Sequence, residues 1–220
     1  MSLQHRFSFT SARQSLLVRL LQVVMVVVLT IGLWTANGGV IVNAAVGLLV
    51  TLLPAYFERN YRFTMDTGLV LWITVAMFLH ALGTLPLSGL GYISAYNSLW
   101  WWDHMTHALS SSLVAGSAYA VVRALDEHTE ALVLPDRFMF GYLLVFVMAF
   151  GVLWELLEFY ISVVAVVLGS DSILVQYGLD DSVLDLVYNS IGGLLVALFG
   201  SAYLTGVVSD LAARLDQRRG

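Results

Sequence analysis

Residues 20–57 read LLQVVMVVVLTIGLWTANGGVIVNAAVGLLVTLLPAYF, 38 positions without one charged side chain. A bilayer core about 30 Å thick is crossed by roughly 20 apolar residues in a helix, so this run is long enough for two crossings. Asn37-Gly38-Gly39 supplies the turn between them, since Asn and Gly break helices and tolerate the backbone angles of a tight reversal. The pattern recurs along the chain. Residues 67–102 hold His80 as their only acidic or basic side chain, and further apolar runs follow. The spacing predicts spans at about 15–35, 40–57, 67–87, 99–124, 137–168 and 182–208. The expectation is an all-α polytopic membrane protein, one domain of six transmembrane helices over residues 1–220, with no soluble domain.

Composition agrees with that reading and closes other routes. Hydrophobic residues make up 59% of the chain and charged residues 11%. The mean hydropathy of +0.84 excludes both an ordinary globular chain and a disordered one. Cysteine is absent, so a metal could be held only by His, carboxylate, amide or water. Lysine is absent too, which rules out a Schiff base to retinal or pyridoxal. No basic patch with interleaved aromatics exists, so nucleic acid is not an expected partner. The apolar run after Arg6, Arg13 and Arg19 is long for a signal peptide and lacks a small-residue cleavage site, and an uncleaved first span is expected.

With six spans, all ten arginines (Arg6, Arg13, Arg19, Arg59, Arg62, Arg123, Arg137, Arg214, Arg218 and Arg219) fall on the side of the two termini. By the positive-inside rule that face is cytoplasmic, which predicts a cell-membrane protein with both termini inside. Seven carboxylates (Asp103, Glu155, Glu158, Asp171, Asp180, Asp181 and Asp185) then lie in the outer half or at its rim, where no Arg is available to pair with them. An ionisable group at bilayer depth costs several kcal/mol unless it is paired, so this cluster calls for protons or bound cations.

The spacings favour a cation. Asp103/His107, Glu155/Glu158 and Asp181/Asp185 are at i,i+4, i,i+3 and i,i+4, each pair projecting from one helix face. With His80 at the same depth on the third span, the candidate metal ligands are His80, Asp103, His107, Glu155, Glu158, Asp181 and Asp185. Carboxylates and imidazoles on facing helices of a bundle build divalent-metal sites, and this donor set suits Zn, Mn or Fe, with Mg a weaker fit. Small residues at Ser112, Gly116, Ala120 and Ala124, and at Gly193, Ala197 and Ser201, would let the fourth and sixth spans pack closely. Asn189 and Ser110 to Ser112 read as interhelical hydrogen-bonding groups, and Ser111 also as a conceivable nucleophile. Asp171 and Asp180 read as solvated loop residues, Trp100 to Trp102 as an interfacial aromatic belt. His104, beside Asp103, is expected to face elsewhere.

At these same residues the chain resembles the YjdF-like family of multi-pass inner-membrane proteins. The matching pieces run from His80 to Gly193: Leu79-His80-Ala81-Leu82-Gly83, Trp102-Asp103 with His107, Trp154-Glu155-Leu156-Leu157-Glu158-Phe159, and Asp181-Ser182-Val183-Leu184-Asp185 followed by Asn189 and Gly192-Gly193. The family shows an aromatic-Asp-x-x-x-His, a Glu-x-x-Glu-aromatic and an Asp-x-x-x-Asp element in this order. The resemblance implies a membrane bundle and no particular activity. The extra His104 and fewer tryptophans around Asp181 depart from the family pattern, and neither is expected to touch the ligands.

Three functions are compatible with such a cluster. The first is a metal-dependent enzyme of hydrolase type acting on a membrane lipid or lipid-linked substrate, with Glu158 or Asp181 as general base. The second is a cation or proton transporter, against which stand the apolar inner half and the lack of inverted repeats. The third is a scaffold with a structural metal.

Overall fold

The computed structural model describes residues 11–86, 94–129, 133–170, 172–174 and 176–217. These residues form eight helices, with no strand among them: α1 (Ser11–Thr35), α2 (Gly38–Tyr61), α3 (Thr67–Gly83), α4 (Ala95–Ser98), α5 (Trp100–His128), α6 (Asp136–Leu168), α7 (Leu179–Tyr203) and α8 (Thr205–Gln217). Five of them are long and apolar enough to cross a membrane, and α3 is a shorter apolar helix of 17 residues. Large apolar side chains such as Leu20, Val23, Val145, Leu153, Val166 and Leu198 point outward, as they do when the surroundings are lipid. The chain is a polytopic membrane protein of five to six apolar spans.

The chain divides into two compact units, Met1–Ala95 and Tyr96–Gly220. In the first, α1, α2 and α3 pack mutually around Met25, Val28, Val40, Ala44 and Ala81. The turn at Asn37 forms as its composition requires. Ala36 takes a left-handed φ of 51°. The Asn37 side chain caps α2 by accepting from the Val40 N–H at 3.0 Å, satisfying one of the amides that a helix start leaves open. Gln22 donates to Thr51 Oγ1 across α1 and α2 at 3.2 Å, a polar tie in an otherwise apolar contact. Helix α3 stops at Gly83 rather than near 87. Pro86 lacks an N–H and disfavours the helical conformation at Leu85, so the helix ends before it.

In the second unit α7 packs against both α5 and α6, and α8 lies against α5. Gly192 makes the α5–α7 approach possible. A Cβ there would overlap Ser111 Oγ and the Ala108 carbonyl and stand 2.9 Å from the Ser112 amide. The α7 stripe facing α5 is thus set by Gly192 and Gly200, the latter under the Tyr119 ring, whereas Gly193 faces Val147 of α6. On α5, Ser112, Gly116, Ala120 and Ala124 are all buried. Gly192→Ala is expected to force the helices apart, lowering stability by about 1–3 kcal/mol. A melting temperature in detergent equal to that of wild type would contradict this crossing.

Helix α7 ends at Tyr203 rather than near 208. Leu204 turns inward, buried against Gly116, and α8 starts afresh at Thr205 with Val208 and Ala212 on its buried face. At this end Arg123 donates to Asp126 Oδ2 at 2.8 Å, to Asp136 Oδ1 at 2.7 Å and to the Leu134 carbonyl at 3.2 Å. His128 pairs with Asp216, fastening α8 to the end of α5. The chain carries no Arg between Arg62 and Arg123 or between Arg137 and Arg214, so the other end of this unit has no basic residue except histidine.

Candidate metal centre

Asp103, His104 and His107 occupy the first two turns of α5. At the helical rise per residue they lie about 24–30 Å along the axis from Arg123. Asp181 and Asp185 occupy the first two turns of α7. The Gly192 crossing holds those two helices side by side, and two turns above it Asp185 meets His104. Helix α6 enters from the opposite end. The same rise brings Glu155 to the site about 28 Å along its length. Its approach to α7 depends on Gly151, where a Cβ would stand 2.6 Å from the Asn189 amide nitrogen.

Asp185 is the best-buried acid, 1% exposed, and its Oδ1 lies 2.8 Å from His104 Nδ1. Its Oδ2 is 3.8 Å from His107 Nε2, which is in turn 3.5 Å from Asp103 Oδ1. The His104 ring is fixed from its flank by Tyr188, stacked at 5.1 Å between centroids. Glu158 is anchored through Oε1, which accepts from the Trp154 indole N–H at 3.0 Å. Glu155 is different: it is 6% exposed and neither carboxylate oxygen has a hydrogen-bond partner among the described residues. Tyr96, just ahead of α5, bonds with Thr106 Oγ1 at 3.4 Å. Burial pushes its hydroxyl far above the ordinary tyrosine value, with the Asp103 and Glu158 charges acting in the same direction, because both effects disfavour the anion.

These groups form three sets whose candidate ligand atoms lie within 4.8 Å of one another: Asp103–His107–Asp185, His104–Asp181–Asp185 and His107–Glu155–Glu158. Each combines one imidazole with two carboxylates. Nitrogen and oxygen donors without thiolate suit Zn, Mn or Fe. The orphaned Glu155 carboxylate is what a cation would satisfy, because a buried charge without a partner is otherwise strongly unfavourable.

Of the seven ligands expected from the sequence, six are brought together on α5, α6 and α7. His80 is on α3 of the first unit, and none of the three sets includes it. His104 corrects the expectation that it faces away: it is 4% exposed and touches Asp185 directly. Its signal was present in the register, since His104 continues upward the Ala108–Ser111 face that meets Gly192. Tyr96 left no comparable signal. Ser111 is taken up in packing, its Oγ donating to the Ala108 carbonyl at 3.0 Å, and Asn189 is buried against α6. Asp180 is exposed, while Asp171 lies outside the described residues. Trp100 is exposed, as an interfacial aromatic is. The Trp102 indole nitrogen is buried without a hydrogen bond.

No curated protein and no solved structure matches the chain. One family model does match, described as "Predicted membrane protein (DUF2238)" and covering residues 16–206, a span that includes every residue of the acid cluster. Helical architecture, apolar spans and sequence pattern agree, and the chain belongs to this family of membrane proteins, DUF2238.

Proposed function

We propose that the chain is a metal-dependent membrane enzyme of hydrolase type, acting on a lipid or lipid-linked substrate, with its divalent ion held by α5, α6 and α7. The observation that carries this reading is the buried Glu155 carboxylate, without a hydrogen-bond partner among the described residues yet within reach of His107 and Glu158. When bound, a divalent ion supplies Lewis-acid polarisation of a carbonyl or phosphoryl oxygen and activation of water. The remaining roles belong to the chain. Trp154 fixes Glu158 through Oε1, leaving Oε2 to take a proton, and Asp181 at the mouth of α7 is the second candidate base. His80 is not needed, since each set already has its imidazole.

Below Ser111, Ser112 and Asn189 the buried residues of this unit include Leu143, Val147, Gly193 and Val196. A conduction path would need polar steps there, which supports catalysis over transport. By the positive-inside rule the arginine-bearing end of this unit faces the cytoplasm, and the centre then works from the outer leaflet.

The test is reconstitution in vesicles of mixed membrane lipids with manganese or zinc, followed by mass spectrometry of the lipids. Metal-dependent conversion of a lipid is expected, with at least a 100-fold loss in Glu158→Ala. Release of a trapped divalent cation from such vesicles, without lipid turnover, would overturn the reading.

A further inference from the structure

Resting on the metal centre just described, we propose that it binds two divalent ions rather than one. The first position is His107–Glu155–Glu158, between α5 and α6. The second is His104–Asp181–Asp185, between α5 and α7. They form one centre because the third set, Asp103–His107–Asp185, shares His107 with the first and Asp185 with the second. Helix α5 thus meets two neighbours at once, and His104 and His107, one turn apart on the same side of it, each serve one position.

Charge argues for the second ion. The five carboxylates of the three sets share this end of the unit with two imidazoles and no Arg or Lys. One divalent ion can balance two of the five carboxylates, and a second ion two more. An unbalanced charge at membrane depth is strongly unfavourable, so the second ion removes the larger part of the imbalance. Geometry points the same way. His104 Nδ1 and Asp185 Oδ1 are 2.8 Å apart. Two donor atoms that close need to part only slightly to take neighbouring positions around one tetrahedral ion. Tyr188 stacking already holds that imidazole in place, as a preformed ligand requires. Paired carboxylates and one histidine per ion on facing helices are the means by which helical bundles hold two metals. The ligand class is two Mn, Fe or Zn ions, and two ions together can clamp both the attacking and the leaving oxygen of a displacement.

The experiment uses manganese alone as probe. The full chain in detergent is stripped with chelator and loaded with manganese. Bound metal is counted by elemental analysis, and coupling between ions is read by electron paramagnetic resonance. Two ions per chain with a spin-coupled spectrum are expected. Asp181→Asn and His104→Ala are each expected to bind one ion with an uncoupled spectrum, and Glu155→Gln to lose the other ion. Elution volume and helix content verify that each variant is folded. One ion per chain in wild type, unchanged in Asp181→Asn and His104→Ala, would overturn the second position while leaving the first intact. No bound ion in wild type would overturn both it and the metal centre it rests on.

Discussion

Glu155→Gln is expected to make the metal-free protein more stable while weakening its stabilisation by metal. In the wild type this carboxylate is buried and has no partner. Such a charge destabilises the metal-free chain by several kcal/mol. The amide removes the charge and leaves an unsatisfied neutral group, which costs about 1–3 kcal/mol. The net gain is on the order of 2 kcal/mol at neutral pH. Saturating manganese at about 1,000 times its dissociation constant adds roughly 4 kcal/mol per bound ion, and the variant loses the share of the ion at His107–Glu155–Glu158. The two melting curves therefore change order when metal is added. A variant no more stable than wild type without metal, and equally stabilised with it, would show that Glu155 is satisfied by something other than a cation.

Asp185→Ala is the most damaging single change expected in the second unit. Asp185 belongs to two of the three sets and holds the buried His104 at 2.8 Å. Removing one partner of a buried, hydrogen-bonded pair costs about 3–5 kcal/mol. Bound metal should fall from two ions per chain to one, because the His107–Glu155–Glu158 position lacks Asp185. Asp180→Ala is the matched control, because Asp180 is exposed. Its loss should change stability by no more than about 0.5 kcal/mol. Equal effects of the two substitutions, read by melting temperature and metal content, would contradict the placement of Asp185 at the heart of the site.

The sequence made the spans legible because lipid imposes one rule on every residue of a crossing helix. A charge-free run of the right length leaves little other choice, and the Asn37 turn inside the first run announces itself by composition. Helix ends were less legible. The stop of α3 was written in Pro86, but the break at Leu204 depends on a side chain finding Gly116 on α5, a contact no local pattern encodes. The site divides in the same way. Paired acids at i,i+3 and i,i+4 could be found because both members share one helix face. His104 could not be found by that rule, because no acid stands three or four residues from it on α5: its carboxylates, Asp181 and Asp185, come from α7. The α7 stripe was displaced by one residue for a related reason. Of two adjacent glycines, Gly192 meets α5 and Gly193 meets α6, and only the packing decides which.

The most direct measurement is anomalous diffraction from crystals of the full chain grown with manganese or zinc, collected on either side of the metal edge. A strong anomalous peak bounded by His107, Glu155 and Glu158 is the expected result, with a second beside His104 and Asp181. Crystals holding the same metal with no peak among these side chains, or with peaks only at exposed acids such as Asp180, would contradict the metal centre.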